Sequence, residues 1–306
     1  MYNYAFGGLM RAFLFFAIFT AFALAKSEFV SVTSVRYDEQ KARLGKDLFF
    51  DKRLSKNETY SCETCHNLYW DFSGTIRKKA QAGALTPPSI LNAGLNFIFF
   101  KDGRARSLKA QVKDALTSQY ELNSDESAVV KSVEKIAAYK KSFQSIYEDG
   151  VNFENIADAI AEFEKAVTAV NSPFDKFLAG QEDALNDEEK AGFEAFKNLG
   201  CASCHNGENL GGNLMHEAGF ARKILKNQNG DLSREKLSRV PSLRNIARSA
   251  PYLSGGEIAS LKAAVKMITQ AQFDVDIDDG SVEAIHKFLL TLNGERPRIL
   301  NESSSN

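Results

Sequence analysis

Histidine and methionine are scarce in this chain, and their placement is lopsided. Each occurs four times in 306 residues. Beyond residue 25 the methionines are Met215 and Met267, and His66 is the one histidine before His205. There is no surplus of basic charge: 38 Lys and Arg face 39 Asp and Glu, for a formal net charge of −1. A nucleic-acid binder carries a basic excess, so that class is disfavoured. Beyond residue 25 no stretch is apolar enough to fill the span of about 20 residues that a transmembrane helix needs, so the mature chain has no membrane span. The remaining composition, 44% hydrophobic and 25% charged, suits one large or two modest globular domains.

The first 25 residues stand apart. Arg11 precedes the apolar run AFLFFAIFTAFALA, which ends in Ala23-Leu24-Ala25. A basic residue, a short apolar run and a small-x-small end mark a secretory signal peptide cut after Ala25. The alternative is a retained anchor, but the run is short for a bilayer span.

Cysteine occurs four times, as Cys62, Cys65, Cys201 and Cys204. In an exported protein four cysteines suggest two disulfides. Here each pair is Cys-x-x-Cys followed at once by histidine, His66 and His205. That is the attachment pattern of haem c: two thiols for thioether bonds and an adjacent imidazole for the iron. Zinc is the main rival for such clusters, but three ligands this close rarely complete a tetrahedral site. Two haem c groups are therefore expected.

Similar segments precede both motifs, DEQKARLGKDLFF from Asp38 and DEEKAGFEAFKNL from Asp187. Their acidic starts suit helix N-termini, and Leu44/Leu48 and Phe193/Phe196 have helical spacing. Between the motifs, Val129, Val133, Ile136 and Tyr139 form one helical stripe, and Ile156, Ile160, Phe163 and Val167 another; both read as core faces. Pro173 and Gly180 interrupt the pattern. The expected fold is all-α, with two cytochrome c-like helical domains that each enclose one haem. The expected boundaries are a signal peptide at 1–25, an N-terminal haem domain at 26–178, a C-terminal haem domain at 179–300 and a disordered tail at 301–306. The segments GALTPPSILNAG and RVPSLRNIARSAPYLSGG read as ordered loops that hold a haem edge or a domain interface.

With His66 and His205 assigned to the two irons, the side chains left for their opposite faces are Met215, His216, Met267 and His286, all in the C-terminal half. Met267 sits in a helix after the proline-marked loop and is the candidate sixth ligand of the second haem; core packing is the alternative. Met215 and His216 read as loop contacts, and His286 as a helix-surface residue. The first haem is left with an open distal side, or with Lys78, Lys79 or Tyr69 as an unusual ligand.

The motif spacing, together with LNAGLNFIFFKDGRARSLKAQ, AIAEFEKAVTAVNSPFDKFLAG, CASCHNGENLGG and VPSLRNIARSAPYLSGG, resembles the bacterial dihaem cytochrome c peroxidases, a family that includes the MauG-type enzymes. The similarity runs from about Asp38 to Gly294. It implies reduction of hydrogen peroxide to water at the N-terminal haem. It also implies a His/Met-ligated C-terminal haem fed by a small periplasmic cytochrome c or cupredoxin, hence a periplasmic location. A calcium ion often sits between the domains of such proteins, and many are homodimers. By motif, Gln111 falls at the family's active-site glutamine and Glu121 at its catalytic glutamate. Proton movement to the departing oxygen of peroxide suits a carboxylate, and orientation of peroxide suits an amide.

The chain departs from the family pattern at several positions. Lys78 stands where members that need reductive activation carry a removable histidine. Lys101 replaces the usual tryptophan before Asp-Gly-Arg, leaving Trp70 as the only tryptophan. Ser254 replaces a histidine, and the distal methionine position aligns with Ile268 rather than Met267. Thr86 replaces the calcium asparagine, whereas Ser249 and Pro251 keep their calcium positions. Three functions remain in view: a peroxidase active without prior half-reduction, a MauG-like enzyme that oxidises a partner protein, and a non-enzymatic dihaem electron carrier or redox sensor.

Overall fold

The computed structural model describes residues 28–69, 73–75, 86–217 and 237–301. The expected signal peptide, Trp70, Lys78, Lys79 and all but the first residue of the expected tail lie outside them. The described chain is mostly helical. Its longer helices are α1 (Glu39–Phe50), α2 (Leu108–Thr117), α3 (Glu126–Glu134), α4 (Ala137–Ile146), α5 (Phe153–Ala166), α6 (Pro173–Leu178), α7 (Asp187–Asn198), α8 (Leu261–Phe273) and α9 (Asp279–Leu290). One antiparallel pair, β1 (Met215–Glu217) with β2 (Leu237–Arg239), is the only sheet among the described residues.

Local chemistry sets the helix starts. The Asp38 side chain accepts a hydrogen bond from Lys41 N at the start of α1. Asn186 and Glu189 close a reciprocal capping box at the start of α7, which satisfies amides that a helix N-terminus leaves unpaired. The stripe from Val129 to Tyr139 is split: α3 ends at Glu134 and α4 begins at Ala137, with Ile136 as its extended cap. Val129, Val133 and Tyr139 are nonetheless all buried.

Two hydrophobic clusters organise the helices. The first gathers Leu48, Phe49, Val129, Phe143, Ile156, Ile160 and Phe163; the second gathers Phe174, Phe193, Phe196, Ile285 and Phe288. In each, the helix before a Cys-x-x-Cys-His motif crosses a later helix at a glycine. A Cβ at Gly45 of α1 would run into the Ala159 carbonyl of α5, and one at Gly192 of α7 into the Ala284 carbonyl of α9. These crossings put backbone against backbone and fix the helix pair that flanks each motif. The match continues along the later helices. Ala159-Ile160 and Phe163 of α5 correspond to Ala284-Ile285 and Phe288 of α9, and all are buried except the half-buried Ala284.

The chain passes to the second cluster by Phe174, earlier than the expected boundary after residue 178. Its ends also change sides. Phe29 packs in the second cluster, whereas Ile299 packs in the first and its carbonyl accepts a hydrogen bond from Lys46 Nζ at 2.8 Å. A buried ion pair clamps the N-terminal segment. Arg244 donates to both Asp175 oxygens at 2.9 and 2.8 Å, Val32 N adds a bond to Asp175 Oδ1 at 2.7 Å, and Arg244 also reaches the Val30 carbonyl. Satisfying all these groups together is what makes a buried charge tolerable.

The helix crossings make a direct prediction. Gly45→Ala and Gly192→Ala each force backbone apart, which costs about 1–3 kcal/mol or more. Denaturant unfolding of each variant should show that loss, and unchanged stability would mean that the crossings are looser than described.

Candidate active site

The two Cys-x-x-Cys-His motifs are held in matching frames. Cys62–Cys65 form one helical turn and Cys201–Ser203 a tighter one. No two of the four cysteines are joined in a disulfide. Burial raises the proton affinity of Cys62 strongly, with the carboxylates of Glu164 and Glu121 adding to it, and pushes Cys201 up to about 11. Cys62 and Cys201 are therefore neutral thiols rather than poised thiolates.

Each histidine is oriented by a backbone carbonyl. His66 Nδ1 lies 3.2 Å from Gly74 O, and His205 Nδ1 lies 3.2 Å from Leu210 O. A carbonyl only accepts, so each Nδ1 carries the proton and Nε2 keeps its lone pair for a metal. Burial lowers the proton affinity of both rings, His205 to about 4, against the opposing pull of the Pro88 and Pro241 carbonyls respectively. Both rings thus stay neutral, as a ligand must. The fit around His205 excludes any larger residue at Gly211: its φ is +110°, and a Cβ there would press on Pro241 O and His205 Nδ1. No group of three or more His, Cys, Asp or Glu side chains gathers as a metal cage among the described residues. Two thiols and one oriented imidazole, twice, fit haem c and not zinc.

The two carrier loops repeat as well. Pro88-Ser89-Ile90-Leu91-Asn92 and Pro241-Ser242-Leu243-Arg244-Asn245 each end on an asparagine in left-handed conformation, with φ of 63° and 58°. Asparagine tolerates that backbone better than most residues.

Gln111 and Glu121 belong to one local unit. Gln111 is half-buried on α2, between the helix's buried anchors Leu108, Val112 and Leu116. Glu121 follows the helix, its amide bonded to Ser118 O at 3.1 Å, and the adjacent Leu122 is tied to Ala115 O and Lys56 N. The Glu121 side chain opens to solvent on one side. Dehydration by its neighbours still lifts its carboxyl above the ordinary range; the Asp114 carboxylate adds to the lift and Arg104 opposes it. Arg104 itself is paired with Asp114 at 2.7 Å and lies over the Phe100 ring. The Glu121 charge acts on both Cys62 and Cys65, which sets it within electrostatic reach of the first motif.

Several expectations fare differently. Met267 is 38% exposed on the outer side of α8, whose inward residues are Leu261, Ala264 and Thr269. One residue along a helix is a turn of about 100°, so Ile268, four residues after Ala264, takes the inner side and Met267 does not. Met215 opens β1, and its sulfur packs against Gly103 of the other half. His216 is exposed. His286 is half-buried on α9, with Nδ1 unpaired among the described residues. Of the calcium positions, Ser249 Oγ donates to Ile246 O at 3.0 Å, and Thr86 N bonds Ser254 O at 2.8 Å. The sequence pattern did not single out Arg239, a largely buried cation whose Nε bonds Phe100 O and whose amide bonds Lys101 O. It joins the Lys101 loop to the β1–β2 pair.

This arrangement is that of a dihaem protein built from two related halves. The di-haem cytochrome c peroxidase family model matches residues 39–183. The cytochrome c551 peroxidase of Nitrosomonas europaea is 36% identical over 269 residues, 84% of this chain and 80% of that one. The methylamine utilization protein MauG of Methylophilus methylotrophus is 31% identical over 239 residues, 74% of this chain and 71% of that one. Among solved structures, a MauG-like protein associated with microbial copper homeostasis superimposes with a TM-score of 0.73 at 21% identity, covering 92% of this chain and 98% of that one; at that identity the likeness is one of fold. The chain belongs to the di-haem cytochrome c peroxidase family.

The orientation of α8 predicts that Met267→Ala leaves the visible and near-infrared spectra of the haem-loaded protein unchanged. Ile268→Met should introduce the charge-transfer band of a thioether bound to ferric iron. Spectral loss in Met267→Ala would show that Met267 reaches the iron after all.

Proposed function

We propose that this protein is a periplasmic dihaem peroxidase. It reduces hydrogen peroxide to water at the N-terminal haem, with electrons delivered through the C-terminal haem from a small periplasmic cytochrome c or cupredoxin. The observation that carries the reading is Glu121: a carboxyl with raised proton affinity within electrostatic reach of both first-motif cysteines. The sequence supports it by offering that haem no histidine or methionine besides His66 from its own half beyond residue 25.

When bound, haem c supplies an iron that takes up peroxide and passes electrons to it. Cys62, Cys65 and His66 would hold the first haem; Cys201, Cys204 and His205 the second. Glu121 acts as base and then acid, taking a proton from peroxide and returning it to the departing oxygen. The Gln111 amide orients the peroxide by hydrogen bonding. A raised proton affinity shortens the energetic distance between these two roles. Ser249 and Pro251 would offer neutral oxygens to a calcium ion.

A MauG-like reading, with oxidation of a partner protein, draws support from the outward Met267 and from Lys101 in place of tryptophan. Trapping an oxidised partner, with no turnover of reduced donor, would favour it.

Glu121→Gln should lower kcat/KM for hydrogen peroxide by about 10²–10⁴-fold, the usual worth of a positioned proton-transfer group. Because the active base is the carboxylate, wild-type activity should rise with pH through an acid limb above the ordinary carboxyl range. Removing the opposing charge in Arg104→Ala should move that limb to higher pH, and Asp114→Asn should move it lower. Unchanged turnover in Glu121→Gln would refute the assignment.

A further inference from the structure

Glu164 lies in the last turn of α5, at the end of the stripe Ala157, Ile160, Ala161, and is 6% exposed. It makes no hydrogen bond or ion pair with any described residue. Its neighbour in sequence, Glu162, is accounted for by Lys165. A carboxyl buried among apolar groups without a partner is costly, and its position at the negative end of a helix disfavours ionisation further. Buried polar groups of this kind call for a specific explanation.

The internal repeat shows that the fold does not require it. Ala159-Ile160 and Phe163 match Ala284-Ile285 and Phe288 at the two glycine crossings, so the position equivalent to Glu164 in the second half is Leu289, which is 4% exposed. One framework therefore accepts an aliphatic side chain at this point in one half and carries a carboxyl in the other. The half with the carboxyl is the one that contains Glu121.

We propose that Glu164 is a positioning residue that acts through Glu121, as a buried proton store serving the first haem pocket. This rests on the peroxidase reading above. Reduction of one hydrogen peroxide to two waters consumes two electrons and two protons. The small redox donor supplies the electrons. The Glu164 O–H bond breaks and its proton passes by way of intervening water to the Glu121 carboxylate, where a new O–H bond forms; Glu164 is left ionised until solvent returns a proton by the same route. Burial, followed by the Glu121 charge, holds the Glu164 proton until about pH 8. Lysines of α1 and α2, both packed against α5, are committed elsewhere: Lys41 of α1 to Asp158, Lys46 of α1 to the Ile299 carbonyl, and Lys109 and Lys113 of α2 to Glu154. Glu121 and Cys62 are the groups whose charge couples to Glu164.

The test uses the haem-loaded full chain and its Glu164→Gln, Glu164→Asp and Glu121→Gln variants. Rapid-mixing kinetics with hydrogen peroxide should show Glu164→Gln about 10-fold slower near neutral pH. The wild-type fall in rate as pH rises through about 8 should be absent in that variant and retained in Glu164→Asp. Two further readings do not depend on turnover. Infrared difference spectra should show a protonated-carboxyl band that Glu164→Gln removes. The raised proton affinity also makes the native state bind more protons than the unfolded one between the ordinary carboxyl range and about pH 8. Stability should therefore decline across that window in the wild type, and less so in Glu164→Gln. Wild-type rates and pH profile in Glu164→Gln, alongside a large loss in Glu121→Gln, would overturn the proton store while leaving the peroxidase reading intact. Full activity in Glu121→Gln would overturn both.

Discussion

The joint between the halves is a pair of buried asparagine amides. Asn245 Nδ2 donates to Asn92 Oδ1 at 2.8 Å, and Asn209 Nδ2 donates to Asn92 O at 3.1 Å. Each asparagine also closes the end of its own later helix: Asn92 bonds the Ala169 carbonyl and amide beyond α5, and Asn245 Oδ1 accepts from Gly294 N beyond α9. Buried amides must be satisfied or they destabilise the fold. These two are satisfied only when both loops and both helix ends take their places together. Because the same loops carry Pro88 and Pro241, whose carbonyls face His66 and His205, the joint also governs the setting of the two candidate iron ligands.

What the halves share is the frame: a glycine crossing, a short cysteine turn, an imidazole bonded to a carbonyl, and a Pro-Ser loop ending on asparagine. What they do not share is a buried carboxyl. Glu164 and Glu121 of the first half act electrostatically on Cys62, whereas the second half has Leu289 where the first has Glu164. The proposed proton chemistry of the first half rests on that difference between two otherwise similar frames. The seam between them is polar. Arg239 bonds the Phe100 and Lys101 carbonyls, and Asn213 bonds Leu95 O and Phe97 N.

Much of this was legible in the sequence because it rests on local rules. The acidic starts of α1 and α7 are capped helices, and the stripe Ile156, Ile160, Phe163, Val167 is wholly buried. Features set by distant partners were not legible. Nothing in the spacing distinguishes Glu164 from Glu162, since both lie in an amphipathic run and only packing decides which turns inward. The direction of Met267 depends on a rotation of one residue, which periodicity does not resolve. Phe29 reaches the second cluster because its partners Phe174 and Phe193 lie there, and those partners are far away in sequence. The aligned second copy was the usable signal for Glu164: AIAEFE set against AIHKFL shows a carboxyl where the repeat has leucine.

The central claim is that the first haem keeps an iron face open to peroxide. Electron paramagnetic resonance of the fully oxidised, haem-loaded protein tests it most directly. An open face predicts a high-spin ferric signal from the first haem in the resting enzyme, present before any reductant is added. Two low-spin signals with no high-spin component would contradict the claim, because both irons would then be closed by protein ligands.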